Sequence, residues 1–305
     1  MKSVLAIYYS QSGQLKEIIK SFTSKYAEND IHVEYVEIEM VENFPFPWNG
    51  KSFFSVMPDS VLGKTREVLS LNYKREKYDL IILGYQPWFL SPSIPINSVL
   101  NDSSFQSIAR HTPVIAITGA RNMWVMAFKS IKAKLDSIEA PIIGHIALVD
   151  RHNNYVSLFT ILHWLFGGIK NRWLFFFPLP GVSQNDIDKA TDYGEISAKI
   201  ISNNNSYVGL QEKLLKLGAV EMKIHLLFLE KTGSKMFRLW AQFIARKKNQ
   251  TFWLILFKYY LFTVLIIFSP IILTLYITFV VPFMEKKIKE ELKYYSIDIL
   301  TSNNA

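Results

Sequence analysis

Residues 3–20 constrain this chain more than any other stretch. An apolar run, Val4 to Tyr9, ends in the polar loop Ser10-Gln11-Ser12-Gly13-Gln14, and a helical pattern follows with Leu15, Ile18, Ile19 and Phe22 on one face. Strand, short loop and helix in that order commit the chain to an α/β unit with a crossover connection. They also place a helix N-terminus at the strand's carboxyl end. There the first-turn amides have no helical acceptor, the helix dipole adds partial positive charge, and serine hydroxyls add donors, so the loop suits an anionic phosphate. Gly13 lets the backbone approach closely. An N-capped first helix without a ligand is the other reading of the same residues. Neither the Gly-x-Gly-x-x-Gly dinucleotide fingerprint nor the Lys-Ser/Thr ending of a triphosphate loop is present.

Two more strand ends carry unusual loops. Tyr78-Asp79-Leu80-Ile81-Ile82-Leu83-Gly84 leads into Tyr85-Gln86-Pro87-Trp88-Phe89-Leu90-Ser91-Pro92-Ser93-Ile94-Pro95. Three prolines stiffen that segment, and Trp88 with Phe89 offers flat apolar faces beside backbone groups, either for a planar ligand or as a cap on the sheet. Pro113–Thr118 leads into Gly119-Ala120-Arg121-Asn122-Met123-Trp124, where Gly119 permits a tight turn and Arg121 and Asn122 supply donors. Arg121 suits an electron-rich ligand edge or a substrate oxygen, and equally a surface carboxylate. In an open parallel sheet all three loops fall at the carboxyl edge, where ligands collect.

In this order the loops resemble those of the flavodoxin-like proteins, whose phosphate loop is usually Ser/Thr-x-Thr/Ser-Gly-x-Thr and which often carry Gly-x-Pro-x-Trp/Tyr at the second position. The resemblance implies flavin mononucleotide (FMN) as cofactor. Ser10, Gln11, Ser12, Gly13, Gln14 and Leu15 would lie at its phosphate, Leu15 standing where the pattern has a hydroxyl. Gln86, Pro87, Trp88 and Phe89 would line the ring, with Thr118, Gly119, Ala120, Arg121 and Asn122 along its other edge.

Strands are expected near 3–9, 33–38, 79–84, 113–118 and 142–149, with helices near 13–27, 60–71, 94–109 and 123–138. That count suits a five-stranded flavodoxin-like parallel sheet, order 2-1-3-4-5. Residues 43–58, rich in proline and aromatics, are expected as a loop over the ligand edge. The helix at 184–202 would close the fold, capped by Ser183 or Asp186. The expected domains are 1–205 for the FMN-binding unit, with a hydrophobic insertion at about 155–181, then a basic amphipathic helical linker 206–250, a membrane segment 251–285 and a charged tail 286–305.

The chain has no cysteine, which excludes disulfides, thiol catalysis, iron–sulfur clusters and cysteine-ligated zinc. Its six histidines show no metal-ligand spacing, so no metal is expected. His152, after the fifth strand, is a candidate acid–base group, although a plain loop histidine satisfies the pattern as well. Tyr85 adds a hydroxyl that could donate a proton. Net charge is +8, yet no nucleic-acid reader motif accompanies it, and a membrane surface explains it better.

Leu158 to Pro180 holds Trp164, Leu165, Phe166, Trp173, Leu174 and Phe175-Phe176-Phe177, interrupted by Lys170 and Arg172. It reads as an interfacial membrane element or as a hydrophobic flap or homodimer surface. From Tyr259 to Met284 there are 26 consecutive uncharged residues, against the about 20 that a span requires. Pro270 sits near the middle, so the segment is either one kinked span or a hairpin returning to the same side. Basic residues flank both ends, Arg246-Lys247-Lys248 and Lys286-Lys287-Lys289, and slightly favour the hairpin. With the first strand beginning almost at Met1 and no signal peptide before it, the catalytic domain is expected on the cytoplasmic side of a bacterial membrane.

The flavodoxin-like loops, Thr118-Gly-Ala-Arg-Asn-Met-Trp124 and the hydrophobic extension together resemble the DarA-type proteins of dialkylresorcinol and flexirubin biosynthesis. That resemblance implies aromatisation of a dialkyl cyclohexane-1,3-dione made by a partner ketosynthase. It implies Arg121 as enolate stabiliser, with His152 and Tyr85 as acid–base candidates. The absence of cysteine argues against this chain being the condensing subunit. A membrane-associated NAD(P)H:quinone reductase and a flavin-free scaffold for the ketosynthase are the competing readings.

Overall fold

The computed structural model describes residues 1–203, 207–298 and 300. The expected boundary at 205/206 and the last five residues of the tail lie outside the described residues. Seven strands and fourteen α-helices are named below. They are β1 Lys2–Tyr8, α1 Gln14–Phe22, β2 Ile31–Glu37, α2 Gly50–Ser55, α3 Met57–Val61, β3 Leu80–Tyr85, β4 Pro87–Trp88 and β5 Ser91–Pro92. Then follow α4 Ile94–Asn101, α5 Ser103–Ala109, β6 Val114–Ala120, α6 Val125–Ser137, β7 Ile142–Val149 and α7 Asn154–Gly167. The chain continues through α8 Gln184–Asp188, α9 Ala190–Ser202, α10 Leu210–Lys216, α11 Ile224–Ala245, α12 Gln250–Thr263, α13 Ser269–Phe279 and α14 Val281–Lys293.

β2, β1, β3, β6 and β7 form one parallel sheet in that order, while β4 and β5 form a small separate hairpin. Counting sheet strands alone, the order is 2-1-3-4-5, the doubly wound flavodoxin-like arrangement. The central strands are apolar on both faces because helices cover both. Leu5, Ile7, Ile81 and Leu83 face one core layer; Val4, Ala6, Leu80 and Ile82 face the other. α1 and α9 pack on the second layer. Gly194 of α9 is required there, since a Cβ would lie 1.6 Å from the Phe22 carbonyl oxygen.

Four expectations need correction. Residues 43–58 are not all loop: α2 and the start of α3 lie within them, and Asn49 Oδ1 caps α2 by accepting the Ser52 N–H. The helix expected at 60–71 does not form. α3 stops at Val61, Gly63 takes a left-handed conformation (φ +69°), and Val68 instead bridges Met40 antiparallel. Pairing with the segment after β2 outweighs the helical pattern of 64–71. The stretch 94–109 is two helices, because Asp102 leaves helical geometry and accepts the Phe105 N–H as the cap of α5. α1 ends at Phe22, where the Thr23 hydroxyl bonds back to Ile19 O at 2.8 Å. Ser183, not Asp186, is the cap at 184, accepting the Asp186 N–H.

Beyond the sheet, α11 lies across the body against α3 and α6. α12, a π-type turn at Val264–Phe268 and α13 make one continuous apolar helix, Gln250–Phe279, whose most apolar 18-residue stretch has a mean hydropathy of 2.3. It is long and apolar enough to cross a membrane. Pro270 sits inside this continuous helix, where the π-type turn before it absorbs the misfit of its ring and missing N–H, so the helix does not reverse there.

Candidate functional site

The carboxyl edge of the sheet opens into a cavity of about 410 Å³. Its floor is the loop after β1. Gly13, at φ +85°, turns the chain into α1, and no acceptor is present among the described residues for the N–H groups of Ser12, Gly13, Gln14 and Leu15. Four free amides and the Ser12 hydroxyl thus converge at a helix N-terminus. The other loop side chains are already engaged. Ser10 Oγ accepts the Lys16 N–H at 3.0 Å, Gln11 Nε2 donates to Pro45 O, and Gln14 bonds both the N–H and the carbonyl of Val182 at 3.1 Å. Leu15 is buried beneath α1, so it offers the cavity its backbone and little else.

The wall after β3 is the β4–β5 hairpin. Its turn residues, Phe89 and Leu90, both hold positive φ (48° and 61°), a conformation that bulky side chains rarely adopt outside a constrained site. Ser60 Oγ, 3.1 Å from Trp88 O and 3.0 Å from Pro92 O, pins the hairpin from α3. Trp88 meets Phe44 and Trp48 edge-on at 4.9 and 5.5 Å, and Phe89 packs against Phe53 at 5.0 Å. Segment 43–58 therefore covers the ligand edge with aromatic rings. Gln86 and Pro87 complete this wall.

Opposite stand Gly119, Ala120, Arg121 and Asn122. Arg121 donates to Asn154 O at 3.0 Å, and no carboxylate lies within ion-pair distance among the described residues. Burial lowers its pKa to about 10, partly offset by the charge of Asp150, so at neutral pH it remains a cation facing an apolar space. Asn122 Nδ2 donates to Asn154 Oδ1 at 2.7 Å, while its own Oδ1 is buried without a partner. A buried orphan acceptor beside a cation is costly unless a ligand's N–H satisfies it.

Ser10, Gly13 and Thr118 stand just behind the cavity surface. Thr118 Oγ1 donates to Tyr85 O at 2.8 Å and holds β3 against β6. Two candidates do not reach the cavity. Tyr85 is fully buried in the core, where its hydroxyl lies 2.9 Å from His145 Nε2. Burial raises the pKa of Tyr85 and depresses that of His145 to about 3. His152 sits on the outer loop with Nδ1 2.6 Å from the buried Asp150, which also accepts from Ser157. No group of metal-binding side chains occurs among the described residues.

Residues that motif reading did not reach close the remaining side. Leu158, Ile161 and Leu165 come from α7, Phe228 and Met236 from α11, and Leu261, Leu265 and Ile272 from the long apolar helix. The cavity is therefore polar at the phosphate-type loop and at Arg121–Asn122, and apolar elsewhere. Its free amides, flat rings and orphan acceptor fit a planar ligand that carries a phosphate.

No family model matches the sequence. No curated protein matches it either. Solved structures that resemble it include a flavoprotein in complex with FMN from Lactobacillus acidophilus NCFM (22% identity, 48% of this chain and 93% of that chain, TM-score 0.38). Others are oxidised flavodoxin 1 from Bacillus cereus (13% identity, 63% and 95%, TM-score 0.33) and a flavone reductase (8% identity, 66% and 64%, TM-score 0.36). The fold assignment stands on the strand order and the two covered sheet faces described above.

Proposed function

We propose that this chain is an FMN-dependent oxidoreductase of a lipophilic ring substrate, held at a bacterial cytoplasmic membrane. One observation carries the reading. A single cavity joins Ser12, Gln14 and Leu15, whose amides have no acceptor among the described residues, to an apolar chamber walled by the long helix Gln250–Phe279. The amides and Ser12 would hold the phosphate, Trp88 and Phe89 would flank the ring, and Asn122 Oδ1 would accept its N–H. Bound FMN would supply a two-electron acceptor for hydride.

The specific reaction is aromatisation of a dialkyl cyclohexane-1,3-dione to a dialkylresorcinol, a loss of two hydrogens from the ring. This part rests on the resemblance to the DarA-type proteins, with a ketosynthase supplying the dione. The chain's own contribution is electrostatic and steric. Arg121, desolvated and with no carboxylate partner among the described residues, stabilises negative charge on a substrate oxygen as the carbon beside the carbonyl loses its proton. The α7, α11 and long-helix side chains accept the alkyl arms and exclude water. Tyr85, sealed in the core, takes no part. His152 would act only as an outer relay through its exposed edge, oriented by Asp150.

Absorption spectra of detergent-purified protein, followed by dione turnover under FMN loading, test this reading. Near-stoichiometric flavin with resorcinol formation is the expected result. Flavin binding with NAD(P)H-driven quinone reduction and no resorcinol would move the assignment to a quinone reductase. Absence of binding at micromolar FMN would leave only the membrane scaffold.

A further inference from the structure

The helix Gln250–Phe279 reads by composition as a span, yet its neighbours are incompatible with a crossing. Near its start, Phe257 packs on Trp240 at 5.6 Å and Trp253 on Phe243 at 4.7 Å; near its end, Tyr276 stacks on Phe228 at 4.0 Å. All three partners belong to α11, which is fixed to the catalytic body through Glu230 and the Met126 N–H. The chain after the helix also returns to that body. Glu291 of α14 pairs with Lys231, Tyr295 is buried in the core, and Ser296 O accepts from Gln211 Nε2 at 3.1 Å. Body and helix therefore lie side by side over most of the helix's about 45 Å. Driving the helix through a hydrocarbon layer of about 30 Å would take the charged body with it.

The helix has two apolar faces with different partners. One covers α11 and the cavity. The other carries Tyr259, Ile267, Ile271 and Leu275, each more than half exposed. A helix apolar all round, with protein on one face only, needs lipid on the other. A second exposed apolar element adjoins it. In the loop after α7, Leu174 and Phe175 hold positive φ (47° and 63°), and Phe175 and Phe176 are 95% and 73% exposed. Trp173 keys that loop to α7 by stacking on Phe159 and Phe177. A seam of rings, Phe166–Phe53–Phe54–Phe262, links the end of α7 to the long helix. Between Asp150 and Asp186 there is no acidic residue, while Arg151, Lys170 and Arg172 are basic. The basic clusters 246–248 and 286–289 flank the helix at its two ends.

We infer that the chain is monotopic: Gln250–Phe279 lies in the plane of one leaflet of an anionic membrane, with the Leu174–Phe176 loop inserted beside it. Both basic flanks then meet headgroups of the same surface. The cavity, whose wall is the inner face of that helix, is consequently reached from the hydrocarbon rather than from water. This inference rests on the membrane association in the reading above, and not on its flavin chemistry.

The absence of native cysteine makes the test direct. Lys248→Cys and Lys287→Cys, each alone in the full chain, are exposed to a membrane-impermeant maleimide in spheroplasts and in inverted vesicles of the expressing bacterium. Both are expected to stay unlabelled in spheroplasts and to react in inverted vesicles; reaction of one from each side establishes a span and overturns the inference. Nitroxides at Leu256→Cys, Ile267→Cys, Leu275→Cys and Phe175→Cys are then compared in vesicles of phosphatidylcholine with phosphatidylglycerol. Similar shallow depths at all four, open to oxygen and closed to an aqueous nickel chelate, are expected. A depth maximum confined to Ile267 would establish a re-entrant hairpin, and spin–spin broadening that disappears on dilution with unlabelled chain would establish a second copy as the occupant. Recovery of the chain in the aqueous fraction without detergent would also overturn it. Flavin content is read on the same preparations, so a flavin-free protein with the expected labelling would refute the oxidoreductase reading alone.

Discussion

A carboxyl oxygen of Glu230 accepts the backbone N–H of Met126 at 2.7 Å, across 104 residues of sequence. A side chain of α11 thus caps α6, the helix that follows the Arg121–Asn122 loop. α11 and one wall of the cavity are held by the same contact. Removing the acceptor in Glu230→Ala should cost about 1–3 kcal/mol of stability and lower activity by loosening the loop. Thermal unfolding beside turnover would show whether both fall together.

Burial raises the pKa of Glu230 to about 8, outweighing the backbone amides at the start of α6, which lower it. The folded state therefore holds a proton that the unfolded state releases near its ordinary 4.5. Its stabilising contribution is complete below pH 4.5 and is lost as pH rises towards 8. Glu230→Gln, which keeps an acceptor and cannot ionise, should flatten that decline and leave the variant more stable than the native chain above pH 8. Denaturant midpoints at pH 5 and pH 8.5 would reveal it; parallel curves for the two proteins would contradict the assignment.

Arg121→Ala should reduce kcat by about 10²–10³-fold, the usual effect of losing one preorganised electrostatic stabiliser, while the fold survives. Lysine at the same position keeps the charge without the fork and should recover part of the rate. The loss should appear in kcat more than in KM, since charge develops only in the transition state. Unchanged turnover in Arg121→Ala would remove the electrostatic role.

At the phosphate-type loop, Ser12→Asp should abolish FMN binding by placing a carboxylate against the site. Gly13→Ala meets no steric neighbour, but its φ of +85° strains any L side chain. A penalty of about 1–2 kcal/mol is expected in that conformation. Flavin fluorescence titration separates the two, because the alanine variant should weaken binding and the aspartate variant eliminate it.

Tyr85→Phe should leave turnover of folded enzyme unchanged and destabilise it by about 1 kcal/mol through loss of the hydroxyl bonded to His145. His145 is held neutral by burial, with its pKa near 3 against an ordinary 6.5. The unfolded chain binds the extra proton between those values, so this residue's contribution is full above pH 6.5 and lost as pH falls towards 3. His145→Gln should weaken that acid sensitivity. The effect runs opposite to that of Glu230 between pH 4.5 and 6.5, which is why each needs its own variant.

What the sequence determined by itself is local and periodic. The apolar runs at 3–9, 79–84, 113–118 and 142–149, each ending in a small polar or proline-rich loop, define strands buried on both faces, and their alternation with helices defines a parallel doubly wound sheet. Ser10–Gln14 and Gly119–Asn122 were legible as ligand-edge loops because the turn chemistry that a strand-to-helix junction demands is written in adjacent residues. The uncharged run from Tyr259 to Met284 was equally legible, since length and apolarity need no partner to be read.

Only the tertiary structure decided which of these groups meet. Tyr85 and Gln86 are neighbours in sequence, yet Tyr85, the last residue of β3, is sealed in the core while Gln86, just past the strand, lines the cavity. The chain at 60–71 carries a helical pattern, yet Val68 pairs with Met40 because long-range contacts outweigh local propensity. The far wall of the cavity, from Phe228 to Ile272, and the capping of α6 by Glu230 depend on pairings more than a hundred residues apart. So does the position of the long helix beside the sheet and its helices. Composition measures how apolar a helix is; packing decides whether protein or lipid covers each face.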